Sequence, residues 1–478
     1  MFILMVVVFV LGYTAIALEH PLKVDKTASA LMIGSLTWVI FILGGFDILN
    51  LGFSRTWEEF KTSIPAEALS NPIEAKKYIQ DFIVHQEILH HLGEISQILF
   101  FLLGAMTIVE IIDQYQGFKV ITDKIKTTNK VKLLWILSIL TFFMSAALDN
   151  LTTTIVLVAL IRKLIADKQT RWFYASMVVL AANAGGAWSP IGDVTTIMLW
   201  IGGQVTAANI IVMVIFPSLV TMIIPVVLLS FTMKGNVERP VLENSANNEF
   251  TSKNEQIFIL ILGVSALLFV PIFKTFTHLP PYMGMLFGLS ILWVVTEIMA
   301  RGKSEEDQRR RSVVAILSKV DVPTVLFFLG ILSAVASLQS AGHLDLLAGF
   351  LNDKLGNIYL INGAIGILSA IVDNVPLVAG AMGMYEIADP AVIATLPVSE
   401  AAYASHFLVD GTFWELLAFT AGTGGSILII GSAAGVAAMG MEKIDFIWYM
   451  KNISYLAFIG YIAGIGAFYL QDILFIHG

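Results

Sequence analysis

The chain has 478 residues, 57% of them hydrophobic and only 13% charged, with a mean hydropathy of +0.81. A soluble globular chain is roughly 45–50% apolar and about 25% charged, so the surplus apolar surface here has to face lipid. The net charge of −8 leaves no basic footprint for nucleic acid, and the lack of cysteine excludes disulfides, thiolate metal sites and cysteine nucleophiles.

Phe2 to Leu18 is the first expected membrane span; it lacks the basic segment that precedes the apolar run of a secretory signal. Uncharged runs of roughly 17–25 residues, enough to cross a bilayer as a helix, follow near 28–50, 95–112, 208–232, 257–273, 282–300, 322–340 and 452–470. The polar stretch 51–94, with His85, His90 and His91, separates the second and third. Four segments do not fit that ruler. Residues 133–165 are too long for one upright helix and too short for two crossings with a turn, and Asp149 is their only charge before Arg162. Two half-depth helices meeting at Asp149-Asn150 would fit. Residues 358–384 repeat the pattern around Asp373-Asn374. Residues 172–201 and 407–440 are long spans with glycine-rich interruptions at Asn183-Ala184-Gly185-Gly186 and Gly422-Thr423-Gly424-Gly425.

These misfits form an internal repeat. Ser145, Asp149 and Asn150 recur 224 residues later as Ser369, Asp373 and Asn374, and Gly185-Gly186 with Gly192 recur as Gly424-Gly425 with Gly431. Five crossings lie between the two hairpins, so the second unit is inverted relative to the first. The positive-inside rule agrees: this topology puts every Lys and Arg on the inner side except Arg55, Lys61, Lys76, Lys77, Lys274 and Lys354, and both termini outside. The expected fold is an all-α polytopic membrane protein of about ten spans, with inverted repeats that each hold a re-entrant hairpin and a broken transmembrane helix. Its parts are an N-terminal region (1–94), a first repeat (95–232), a cytoplasmic linker (233–256) and a second repeat (257–478).

Broken helices in hydrocarbon persist only where they line a cavity or bind something, and inverted repeats with such breaks mark secondary transporters. No GxxxxGK[ST] motif is present, which argues against a nucleotide-driven motor. Asp149, Asp193 and Asp373 fall at mid-depth, and none of the four misfit segments carries Lys or Arg away from its ends. A carboxylate there costs about 2.5–3.5 kcal/mol or more and is neutralised by a proton or by a cation. Competition between the two for one carboxylate, with alternating exposure, suffices for cation/proton antiport. Oxygen ligands suited to hard cations surround these aspartates in Asn150, Asn183, Thr195, Thr196, Ser369 and Asn374, with Ser145, Ser189, Thr423, Ser426 and Ser432 as secondary candidates. A capping role would explain the aspartates and hydroxyls more plainly, but capping alone does not require charge at depth.

The stretches SAALDNLTTTIVLVALIRKLI (145–165), AANAGGAWSPIGDVTTIMLWIGGQVT (181–206), SAIVDNVPLVAGAMGM (369–384) and FWELLAFTAGTGGSILIIGSAAGVAAMGME (413–442) resemble the NhaD family of sodium/proton antiporters, within the ion-transporter superfamily. The resemblance covers essentially the whole chain. It implies exchange of Na+, and usually Li+, for H+, an elevator-like fold and a homodimer, with no cofactor and no enzymatic activity. It also implies an ion and proton site at Asp149, Asn150, Asn183, Asp193, Thr195, Thr196, Ser369, Asp373 and Asn374, with Na+ at Asp149, Asp193 and Asp373. The family's polar patch on the third span is represented by His90 and Glu94, with Gln97 where a second acidic residue is more usual. Asp193 corresponds to Ser432 in the second repeat, so the first carries more of the charge. The same superfamily fold allows an anion transporter for a dicarboxylate, citrate or arsenite, but such a carrier would favour neutral residues at the hairpin tips, where this chain has aspartate twice. A bacterial inner membrane is the expected location.

Overall fold

The computed structural model describes residues 1–17, 19–240, 251–301 and 303–475. Leu18, residues 241–250 of the expected linker and the last three residues lie outside that description. The described chain is helical, with a single isolated β-bridge between Asn129 and Asn236. In order, the principal helices are α1 (Phe2–Ala17), α2 (Lys26–Leu49), α3 (Leu89–Gln114), α4 (Lys130–Leu148), α5 (Asn150–Leu164), α6 (Lys168–Ala187), α7 (Val194–Ile201) and α8 (Ala207–Thr232). They continue as α9 (Lys253–Thr277), α10 (Pro281–Ala300), α11 (Val322–Ser340), α12 (Ile358–Leu368), α13 (Asn374–Met384), α14 (Thr412–Gly424), α15 (Ala433–Glu442) and α16 (Ser454–Phe475).

Among the described residues, eight helices are long and apolar enough to cross a bilayer: α2, the run Pro72–Gln114 that ends in α3, α4, α8, α9, α10, α11 and Ser454–Leu474 of α16. Large apolar side chains such as Met32, Leu43, Phe231 and Phe276 stand exposed on them, as lipid-facing residues must when the backbone is already satisfied within the helix. The chain is an integral, all-α polytopic membrane protein. Its helix starts are written in short polar residues: Asp25 accepts from the Thr27 N–H, Asn129 from Lys132, Asp167 from Thr170, Thr206 from Asn209, and Ser252 forms a capping box with Glu255. Each satisfies donors that the helix cannot satisfy itself.

Contacts divide the chain into two compact units. The first comprises 1–99, 321–361 and 375–388; the second comprises 100–320, 362–374 and 389–478. In the first, α2 packs against α1 and α11, and a core of Met5, Phe41, Trp57, Phe82 and Val335 closes around them. Glu87 is buried there and accepts from Ser340 Oγ; the His91 ring lies 3.5 Å from Glu87 and 3.4 Å from Glu94. In the second, α6 packs on α4 and α5, α8 on α16, and α14 and α15 complete the group.

All four misfit segments are broken. The 133–165 segment divides at Asp149, and the 358–384 segment divides over residues 369–373, as the Asp-Asn pairs suggested. At 19 residues, α4 rises about 28 Å, longer than a half-depth helix. The first long span breaks just after the expected glycines, and the second breaks at Gly425, the last of its expected four. Glycines 185 and 186 remain helical and α6 ends only at Ala187; α14 runs through Gly424, and the open segments are 188–193 and 425–432. Pro190 is the reason in the first case, since it offers no N–H and its ring clashes with the preceding turn. Gly185 and Gly424 therefore serve close packing, not unwinding.

Candidate functional site

Gly185 and Gly424 show what that packing achieves. A Cβ on Gly185 would lie 2.2 Å from the Phe142 carbonyl oxygen, and one on Gly424 would lie 1.9 Å from that of Gly366. Beside these contacts Ser145 Oγ donates to the Ala182 carbonyl at 2.6 Å and Ser369 Oγ to the Ala421 carbonyl at 2.8 Å. α4 is thus pinned to α6, and α12 to α14, by matching residues in the two halves. The open segments then reach two equivalent caps: Asp193 starts α7 at φ −145, ψ 149, and Ser432 starts α15 at φ −146, ψ 153.

Asp193 lies at the centre of a buried polar cluster within the second unit. Only 1% exposed, its carboxylate accepts from Asn150 Nδ2 at 2.7 Å, from Asn374 Nδ2 at 3.3 and 3.4 Å, and from the Thr195 N–H at 3.1 Å. Asn150 also donates to Asn183 Oδ1 at 3.1 Å, and Asn183 Nδ2 donates to both Ser426 Oγ and Ser432 Oγ at 2.9 Å. Asn150 and Asn374, the residues that follow Asp149 and Asp373, therefore converge on one carboxylate. The donors to it are all amide N–H groups. Thr195 Oγ1 is buried beside it without a hydrogen-bond partner, a free oxygen of the kind that a hard cation takes.

The remaining expected residues divide by role. Asp149 caps α5, accepting from the Thr152 N–H and Oγ1, both at 2.7 Å, and is half-buried. Its backbone sits at φ 100, ψ 158, a region essentially reserved for glycine that costs about 1–3 kcal/mol and is typical of functional sites. Asp373 is likewise half-buried, immediately before Asn374. Both act electrostatically on Asp193, yet among the described residues no three His, Asp or Glu side chains gather as a metal cage. Thr196 closes the capping box of α7, Thr423 Oγ1 donates to Phe419 O, Ser189 Oγ to Ala146 O, and Ser145 and Ser369 to the carbonyls above. Those hydroxyls hold the backbone. His85, His90 and His91 belong to the other unit.

Two features escaped sequence reasoning. Tyr449, fully buried, donates to the Ser426 carbonyl at 2.7 Å and so steadies the cluster from behind; nothing in its sequence context marks it. Glu442, also buried, accepts from Arg162 Nε at 2.6 Å and Arg171 Nε at 2.9 Å, while Trp172 Nε1 donates to its carbonyl. In sequence these arginines read only as topogenic charges.

A membrane-embedded helical protein with a buried carboxylate between broken helices has the build of an ion-coupled carrier. Comparison with known proteins agrees: residues 3–408 match the family described as "Citrate transporter", CitMHS, and the chain belongs to that family of transporters, which are not enzymes. Within it the chain groups with sodium/proton antiporters of the NhaD type. It is 43% identical to "Sodium/proton antiporter 1" of Arabidopsis thaliana over 97% of this chain and 71% of that protein, and 40% identical to "Sodium/proton antiporter 2" of the same plant over 96% and 97%. To "Na(+)/H(+) antiporter NhaD" of Alkalimonas amylolytica it is 28% identical over 96% of this chain and 88% of that protein.

Proposed function

We propose that this protein exchanges cytoplasmic Na+, or Li+, for external H+ by alternating access at a mid-membrane site centred on Asp193 and flanked by Asp149 and Asp373. The observation that carries the reading is a carboxylate 1% exposed whose hydrogen-bonding side chains are the neutral Asn150 and Asn374. A proton or a sodium ion is then what neutralises it, and each excludes the other. Asn150, Asn374, Asn183 and Thr195 are the groups that orient the carboxylate and offer oxygens to the ion. The relatives' names support sodium and proton as the exchanged pair. Re-entrant hairpins, inversion of the 95–232 and 257–478 repeats, an elevator movement, a homodimer and a bacterial inner-membrane location with both termini external complete the proposal; the plant relatives make an organellar membrane the alternative.

The family's citrate-transporter description keeps the anion carrier as the second reading. An anion would have to enter beside three carboxylates with no basic residue among the hydrogen-bonding partners of Asp193, which disfavours it. Everted vesicles carrying a respiration-driven proton gradient, challenged in parallel with Na+, Li+, K+ and citrate, separate the two. Collapse of the gradient by Na+ in the wild type but not in Asp193→Asn is expected. A response to citrate alone would overturn the antiport reading.

A further inference from the structure

Some distance from Asp193, the start of α14 buries a second carboxylate. Glu415 is 1% exposed; Asn209 Nδ2 of α8 donates to its Oε1, and its Oε2 is buried with no hydrogen-bond partner. The charges that act on it are both acidic, Asp410 and Asp472. Asp472, on α16, is 3% exposed and accepts from Thr412 Oγ1, while Asp410 accepts from the Thr206 N–H and Oγ1 at 2.6 and 2.8 Å. The other titratable groups on the neighbouring short helices are Glu400, Tyr403 and His406. A buried carboxylate among like charges, with one oxygen left bare, is costly unless that oxygen carries a proton.

Helix geometry links this group to the central site. Gly422 follows Glu415 by seven residues, which returns it to the same face of α14 about 10 Å along the axis. A Cβ on Gly422 would lie 3.8 Å from Asp193 Oδ2. Between them Ala418 and Phe419 are fully buried and apolar, so in this state the two carboxyls are separated by a dry gap.

Resting on the antiport reading above, we propose that Glu415 is a second proton-carrying carboxyl, which takes a proton from the Asp410 side of α14 and passes it to Asp193 when the Ala418–Phe419 gap is hydrated. In that step the O–H bond at Glu415 breaks and one forms at Asp193 as the sodium ion departs. The Glu415 carboxylate then recovers its proton from external water. The dry gap prevents a proton leak while sodium occupies Asp193.

Proteoliposomes with a trapped pH dye and radiolabelled sodium test this. In Glu415→Gln, sodium-driven proton flux is expected to fall roughly 10²-fold, the lower range for a lost acid–base group, whereas Na+/Na+ exchange, which moves no proton, stays at the wild-type rate. Glu415→Asp should recover part of the proton flux. Wild-type proton flux in Glu415→Gln overturns the proposal, as does an equal loss of both exchanges, which marks a structural role. Labelling of the wild type with a hydrophobic carbodiimide, which attacks protonated carboxyls, is a second arm: modification at Glu415 that increases as pH falls is expected, and its absence overturns the proposal. Absence of sodium-driven proton flux in the wild type would instead refute the antiport reading, and the carbodiimide arm would still decide whether Glu415 holds a proton.

Discussion

Gly424→Ala is the sharpest test of how the site is held. The added Cβ would stand 1.9 Å from the Gly366 oxygen, 2.6 Å from its carbonyl carbon and 3.0 Å from its Cα, all of them backbone atoms. Carbon–oxygen contacts close to about 3.3 Å, so α12 and α14 must separate by roughly 1.4 Å. Overpacking of this kind costs about 1–3 kcal/mol, partly offset by the 0.5–1 kcal/mol that alanine gains over glycine in a helix. The functional loss should exceed the loss of stability. Asn374 stands eight residues beyond Gly366, and its bonds to Asp193, at 3.3 and 3.4 Å, have no reserve for such a shift. A misplacement of about 1 Å costs on the order of 10²-fold in rate. Gly440→Ala and Gly466→Ala are the controls, since a Cβ at either meets nothing within 4 Å. Thermal unfolding in detergent and sodium-driven proton flux in vesicles are the assays. Gly424→Ala with the flux of the two controls would refute the claim that backbone contact between α12 and α14 sets the geometry at Asp193.

Three further outcomes follow from the same geometry. Asn150→Ala removes a 2.7 Å bond to the Asp193 carboxylate; a hydrogen bond to a charged group is worth about 1.5–3 kcal/mol, so the sodium concentration for half-maximal exchange should rise at least tenfold, and an unchanged value would show that Asn150 does not serve the ion. Glu442→Gln leaves Arg162 and Arg171 without their shared carboxylate, and because both arginines are partly solvated the loss should be nearer 1.5 than 3 kcal/mol, read by urea titration of the reconstituted protein. Asp167→Ala uncaps α6 and should cost about 1 kcal/mol. Hydrogen bonds from the Thr170 side chain and backbone hold the Asp167 carboxyl below its ordinary range, so its contribution is complete above that range and disappears as pH falls through the lowered value; a wild-type-to-mutant difference that persists in strong acid would contradict the cap.

Much of this architecture was legible because apolar length and isolated charge are strong signals in lipid. The breaks at Asp149-Asn150 and before Asn374 followed from two residues that cannot both remain in a continuous apolar helix without a reason. The break near Pro190 was displaced because a glycine pair reads the same in sequence whether it unwinds a helix or lets another backbone touch it; only the approach of Phe142 and Gly366 distinguishes the two. Of the expected residues, Asn150, Asn183, Asp193, Asn374, Ser426 and Ser432 meet in one hydrogen-bonded cluster, but the division between these and the rest was not visible. Ser369, Thr196 and Thr423 are spent on backbone carbonyls and a cap, whereas Ser426 and Ser432 receive Asn183. Pairings across more than two hundred residues, such as Glu442 with Arg162, leave no local pattern.

The asymmetry between the halves has a mechanistic consequence for the proposed exchange. If each half used its own cap, Asn150 would pair with Asp193 and Asn374 with Ser432. Instead both asparagines donate to Asp193, and the position equivalent to Asn183 in the second half is Gly422, which leaves room for the Asp193 carboxylate. A single carboxylate thus connects the ends of both Asp-Asn tips. Its charge, and the ion or proton that cancels it, bears on the two tips together, because an ionised carboxylate accepts stronger hydrogen bonds than a protonated one. In the proposed exchange, occupancy of Asp193 would thereby be translated into the positions of Asn150 and Asn374 without a separate sensor. The same logic makes Ser432→Asp informative: a second carboxylate at the equivalent cap should draw Asn374 away from Asp193, so that the variant keeps its fold but loses coupling, with sodium movement no longer tied to proton movement. Unaltered coupling in that variant would mean that convergence on Asp193 is incidental.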